Sequence, residues 1–200
     1  ENVKDYYYSL EELTTPKYYV YTCKEDLNRT QYWKMSSDIS NKYLITEAFN
    51  SSFVQFEYFK EKFDAKGSQL IEYTMINEGK RVTSLPITKD VFIWTPKKEF
   101  TYSVKYSNND HQITFQKSRK LIGKEIIEVM GQKLETLKFK GNYHYESDKY
   151  KETMDYWQYS FYSKKYGFVK YERHVENGQI ITLELTNLLS EKDWKKRTQM

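Results

Sequence analysis

Side chains along this chain change character at every second position, again and again. In Phe100-Thr101-Tyr102-Ser103-Val104-Lys105-Tyr106, apolar or aromatic residues take alternate places and small or charged ones fill the gaps. Period two marks a strand with one buried and one wet face, because successive Cβ atoms point to opposite sides of a sheet. Its repetition makes this an all-β chain of long, half-exposed antiparallel strands. The 20 tyrosines, 11 phenylalanines and four tryptophans supply the bulk that such a core needs.

Mean hydropathy is low (-0.87) and 30% of residues are charged. Disordered chains share those traits but lack aromatic and β-branched residues. Tyrosine reconciles the figures, since its ring packs while its hydroxyl stays wet. The 32 basic and 28 acidic residues leave a net charge of +4, with only short basic runs such as Lys195-Lys196-Arg197. That is a mixed, solvated surface, and nucleic acid is not an expected partner. Cys23 is the single cysteine, so an internal disulfide is impossible; alternation groups it with Tyr19 and Tyr21 as a buried structural thiol. No run approaches the roughly 18 apolar residues of a membrane helix. The chain starts at Glu1 without a methionine or signal peptide, which fits a trimmed precursor and a removed export signal.

Alternation and turn residues predict thirteen strands. They are Tyr18–Cys23, Gln31–Ser36, Tyr43–Phe49, Phe53–Phe63, Gln69–Asn77, Ile87–Trp94, Phe100–Tyr106, Gln112–Lys117, Glu125–Met130, Lys133–Lys140, Thr153–Tyr162, Phe168–Val175 and Ile180–Leu188. Ser118–Gly123 reads as a bend. Asn177-Gly178 is the strongest hairpin signal and calls for a type I′ turn. Helix is confined to Ser9–Thr14 and to Leu188–Arg197, where Ser190 caps the tail. One β domain over residues 1–200 is the simplest division, with an irregular segment 1–16 and a helical tail 189–200. Short connections give a meander. A curved half-barrel or open barrel manages the edges better than the alternative, a β-sandwich, whose tight corners seven glycines and three prolines under-supply.

Catalytic signatures are absent: no G-x-S-x-G, no P-loop and no G-x-G-x-x-G. His111, His144 and His174 form no H-x-H pair, and the nearest metal candidate, His144 with Glu146 and Asp148, reads better as a polar loop. A carboxylate pair for glycoside hydrolysis is not singled out, since Glu57, Glu72, Glu128 and Glu184 are expected to alternate outward. No catalytic, cofactor or metal residues are therefore assigned, and the chain is expected not to be an enzyme. The aromatics remain. Trp33, Trp94, Tyr102, Trp157, Tyr159 and Phe161 are the candidate ligand-lining set on a concave sheet face, against the plainer reading that they are core.

Gly123-Lys124-Glu125-Ile126-Ile127-Glu128-Val129-Met130-Gly131-Gln132-Lys133-Leu134-Glu135-Thr136-Leu137-Lys138-Phe139 carries a G-x-E-x-φ-x-V strand, a glycine turn and a φ-x-T-φ-K-φ strand. With Tyr162–Glu172 and the hairpin at Asn177-Gly178, this resembles exported lipoprotein β domains of Bacteroidetes, of the DUF3108 type, over about residues 112–189. Their open, curved sheet is similar to that of the LolA/LolB lipoprotein carriers. The resemblance implies export to the bacterial envelope, a half-barrel and no known catalytic residues; no lipobox cysteine is visible in this chain. The expected activity is binding of a lipid or other apolar ligand on the concave face. A structural or scaffold protein acting on another envelope protein, through an exposed aromatic patch around Tyr6-Tyr7-Tyr8, is one alternative. A carbohydrate-binding module or glycan-active enzyme is another.

Overall fold

The computed structural model describes residues 2–77, 79–108, 111–149 and 153–198. The described residues form twelve strands: β1 Lys17–Cys23, β2 Gln31–Asp38, β3 Tyr43–Phe49, β4 Gln55–Phe63, β5 Gly67–Asn77, β6 Lys80–Ile93, β7 Phe100–Asn108, β8 His111–Val129, β9 Gln132–Ser147, β10 Thr153–Ser163, β11 Gly167–His174 and β12 Ile180–Leu189. One helix, α1 Glu191–Thr198, follows. Each strand pairs antiparallel with its sequence neighbour, and β1 pairs with both β2 and β12, so the curved meander closes into a barrel. Closure leaves no unpaired edge for another chain to extend.

Two expected strands are one. Gln112–Lys117 and all but the last residue of Glu125–Met130 lie within β8, which runs through the expected bend. A register shift between Leu121 and Gly123 absorbs the irregularity, as a bulge does. The type I′ geometry falls at Met130-Gly131, where both residues have positive φ (49° and 74°), and it joins β8 to β9. At Asn177-Gly178 the connection is longer: Gly178 N–H donates to the Val175 carbonyl at 2.9 Å and Val175 N–H to that of Gln179 at 3.1 Å. The tail cap is present, with Ser190 Oγ accepting from Asp193 N–H at 3.1 Å. Trp194 of α1 packs on the outside of the barrel, stacked on Tyr18 and edge-on to Phe49 and Phe53.

Residues 2–16, expected to be irregular, close one end of the barrel through two 3₁₀ turns, Lys4–Tyr6 and Glu11–Leu13. Val3 N–H donates to the Trp94 carbonyl at 2.8 Å, and Ser37 Oγ donates to that of Leu10. Tyr6, Tyr7 and Tyr8 are all buried, so the exposed patch expected there does not exist. Tyr7 stacks on Phe92 with ring centres 4.4 Å apart and leans on Phe63, Trp94 and Tyr162. Tyr8 sits over Gly167, where a Cβ would lie 2.5 Å from the ring, and Gly167 also takes φ +69°. Only glycine meets both demands without strain.

The outer wall carries ion pairs. Lys34–Glu47 (2.6 Å), Lys138–Glu125 (2.8 Å) and Lys170–Glu172 (2.9 Å) pair across it. Among the described residues no helix is long and apolar enough to cross a membrane.

Candidate functional site

Twelve strands enclose more space than eight, whose lumen side chains just fill. The plug fills one end of this barrel, and a cavity of about 330 Å³ remains beside it. Its wall is aromatic: Trp33, Phe59, Tyr73, Tyr102, Phe115, Tyr143, Tyr145, Tyr156 and Tyr171 line it, with Tyr7 and Tyr8 from the plug. Phe59 meets Tyr73 and Tyr102 edge-on, with centres 5.7 Å apart in both cases, and Tyr102 meets Phe115 at 5.9 Å. Inward rings thus stack in layers across neighbouring strands, the geometry aromatic pairs prefer.

Five ionisable side chains interrupt this apolar lining, in two tiers. The tier nearer the plug holds Glu61 and Arg119, 3% and 2% exposed. Glu61 accepts from Tyr7 Oη at 2.8 and 3.0 Å and from Ser68 Oγ. Arg119 donates to Tyr162 Oη at 2.6 Å and to the Val91 carbonyl. Burial pushes the Glu61 carboxyl above its ordinary range, opposed by the bonds from Ser68 and Tyr7.

The tier farther from the plug holds Glu57, Lys117 and Arg173, and is poorly partnered. Glu57 accepts from Tyr73 Oη at 3.1 Å, and burial raises its pKa. Arg173 Nε has one long bond, 3.4 Å, to Gln158 Oε1. Lys117 makes no hydrogen bond or ion pair among the described residues. Its ammonium lies 4.8 Å from the centre of the Tyr143 ring and 5.9 Å from that of Tyr102. Burial drives its pKa well below the ordinary lysine range; the Arg119 charge pushes it the same way and Glu57 opposes it.

The six residues expected to line a ligand site separate. Trp33 and Tyr102 line the cavity. Trp94 belongs to the plugged end, packed on Tyr7 and Phe63, its Nε1–H donating to the Asp64 carbonyl at 3.0 Å. Trp157, Tyr159 and Phe161 face the other way. On β10 the lining residues are Tyr156, Gln158, Ser160 and Tyr162, which puts the odd positions on the outer wall. There Lys140 lies over Trp157, and Lys138 over both Tyr159 and Phe161. Phe161, expected inward, shares the outer-wall phase of β10 and is nevertheless 1% exposed, beneath Lys138 and Lys170. Glu57, expected outward, lines the cavity. The cause is shared: both segments carry aromatics on both phases of the strand, so alternation alone leaves the face undecided.

Sequence reasoning missed Glu61, Lys117, Arg119 and Arg173 as interior groups. The signal was a charge in the apolar phase of a strand: Phe59-x-Glu61-x-Phe63, Ile113-x-Phe115-x-Lys117-x-Arg119-x-Leu121 and Tyr171-x-Arg173. Of the histidines, His144 Nδ1 lies 2.7 Å from Asp155 Oδ1, and His174 stacks on Trp157 on the outer wall. Among the described residues no group of three or more His, Cys, Asp or Glu gathers as a metal site.

The barrel has a solved counterpart. A crystal structure of a "putative lipoprotein" from Parabacteroides distasonis ATCC 8503 matches it with a TM-score of 0.55 at 14% identity, covering 88% of this chain and 96% of that one. That likeness shows the fold. A "putative exported protein with YmcC-like fold" from Bacteroides fragilis NCTC 9343 reaches a TM-score of 0.46 at 10% identity, over 87% of this chain and 95% of that one. No protein-family model matches the chain, and no curated protein matches its sequence.

Proposed function

We propose that this is a non-catalytic, exported protein of the bacterial envelope that holds a lipid fragment or other apolar small molecule inside its barrel. The observation that carries the reading is the cavity, about 330 Å³ and ringed by aromatic side chains within a barrel plugged at one end. Ligand sites are concave, largely apolar spaces of about 300–1,000 Å³ with a few fixed polar groups. This space lies at the small end of that range, which suits one short chain or ring system. Export is supported by the fold shared with the Parabacteroides protein and by the resemblance over residues 112–189; a carrier role like that of LolA and LolB is the finer form of the proposal.

Two features weigh against the alternatives. Flat stacking on sugar needs a free ring face, yet His174 stacks on Trp157 at 3.6 Å and Lys140 sits 4.7 Å from its centre. Glu57 and Glu61 stand four residues apart on one strand, about 13 Å along the backbone, farther than the 6.5–9.5 Å typical of inverting glycosidase carboxyls.

The neutral fluorophore 1-aminoanthracene tests the reading. Its emission should rise on titration with the full chain. Phe59→Glu, which puts a third carboxylate in the cavity wall between Glu57 and Glu61, should weaken uptake at least about tenfold, the expected consequence of an unpaired charge there. Trp157→Glu, on the outer wall, should leave uptake unchanged. No uptake by the wild-type chain would remove the proposal.

A further inference from the structure

The cations of the poorly partnered tier form an ordered row. Lys117 on β8 pairs in register with Tyr143 on β9, and Tyr143 with Tyr156 on β10. The two tyrosine rings stack, 4.5 Å apart and 15° from parallel. Lys117 lies 4.8 Å from the centre of one ring, and the Arg173 guanidinium, on β11, 4.5 Å from that of the other. Cation, ring, ring and cation thus follow one another across four strands and face one space.

Ring faces attract cations but accept few hydrogen bonds. An ammonium has three donors and a guanidinium five, and neither has an acceptor atom of its own. Among the described residues, of all these donors only Arg173 Nε has a partner, at 3.4 Å. The carboxylates do not fill the deficit. Glu61 is committed to Tyr7 and Ser68. Glu57 accepts from Tyr73 and forms no ion pair with Lys117. Lys117 and Arg173 are half-buried and both line the cavity, so an anion entering that space meets two basic groups most of whose donors are not taken up by protein acceptors.

We propose that the ligand of this cavity is an amphiphile with one anionic head, a carboxylate or a phosphate, held between Lys117 and Arg173. Its apolar part lies against the wall of Phe59, Tyr73, Tyr102 and Phe115. The inference rests on the cavity being a binding site for apolar molecules, and adds the charge of what it binds.

Calorimetric titration of the full chain with octanoate, octyl phosphate and octan-1-ol tests it, since the three share one tail. Both anions should bind at least about tenfold more tightly than the alcohol, because hydrogen bonds to charged groups contribute on that scale. A lead of one anion over the other names the head. In Lys117→Met the preference for the anions should fall to near unity while far-ultraviolet circular dichroism stays that of a β protein; Arg173→Gln is the second variant. The wild-type comparison needs neither. Equal binding of alcohol and anions, or an undiminished preference in both variants, overturns the anionic head and leaves the apolar cavity standing. If 1-aminoanthracene also fails to bind, the cavity reading falls with it.

Discussion

Two tiers of the same barrel interior use the same residue types to opposite ends. Near the plug, Glu61 and Arg119 are each tied to two groups, and every partner is protein. One layer farther, Glu57, Lys117 and Arg173 share two hydrogen bonds between them, both longer than 3.0 Å. Glu61 and Arg119 are buried while Glu57, Lys117 and Arg173 are half-buried, and only the deeper pair is given its acceptors and donors by the protein.

The largest expected effect follows from that difference. Arg119→Met removes the donor to Tyr162 and Val91 and the cation that most favours the Glu61 carboxylate. Loss of one member of a buried charged network costs about 3–5 kcal/mol. Lys117→Met removes a cation with no hydrogen-bond partner and keeps much of its apolar stem, so the same chemical change there should be neutral or stabilising by about 1 kcal/mol in the ligand-free chain. Urea unfolding of both variants beside the wild type measures the contrast. Equal losses would erase the distinction between the tiers.

The fold was readable because alternation is local. Phe100–Tyr106 announces β7 with no knowledge of its neighbours, and most strands follow in the same way. Closure was not readable. The seam that seals the barrel pairs β1 with β12, from Tyr18 opposite Leu189 to Cys23 opposite Leu183, and nothing in either strand names the other. The plug hid for the same reason, since Tyr7 finds Glu61 54 positions away, and three successive tyrosines have no period. Of the site, Trp33 and Tyr102 were legible as aromatics on a strand. Lys117 and Arg119 were obscured by reading Ser118–Gly123 as a bend, which broke the phase linking Phe115 to Leu121. Kept continuous, that phase puts two cations among inward apolar residues.

A second, smaller effect sharpens the comparison from the plug side. Tyr7→Phe keeps the stacking on Phe92 and Phe63 but deletes the hydroxyl that serves both Glu61 oxygens. Leaving a buried carboxyl short of a donor costs about 1–3 kcal/mol. The loss should appear as a lower urea midpoint with an unchanged slope, because the amount of surface exposed on unfolding stays the same. A reduced slope would mean instead that the plug leaves the barrel end before the strands unfold. The cavity would then open at both ends, and uptake of 1-aminoanthracene by Tyr7→Phe would quicken.

The smallest effect concerns pH and the carboxyl of the poorly partnered tier. Burial raises the pKa of Glu57, and the Tyr73 hydroxyl and Lys117 oppose it only in part. A group whose pKa is higher folded than unfolded adds stability in acid, below the unfolded value. That stability disappears as pH rises through the folded value. Glu57→Gln abolishes this titration, so its stability relative to wild type should improve as pH climbs from about 4 past the raised value, then level off. The direction identifies the cause: desolvation gives this slope, whereas an effective ion pair with Lys117 would give the reverse, with the variant losing ground as pH rises. Unfolding midpoints of both proteins at intervals from about pH 4 to about pH 8 therefore decide whether Glu57 neutralises Lys117 or leaves its charge for a ligand.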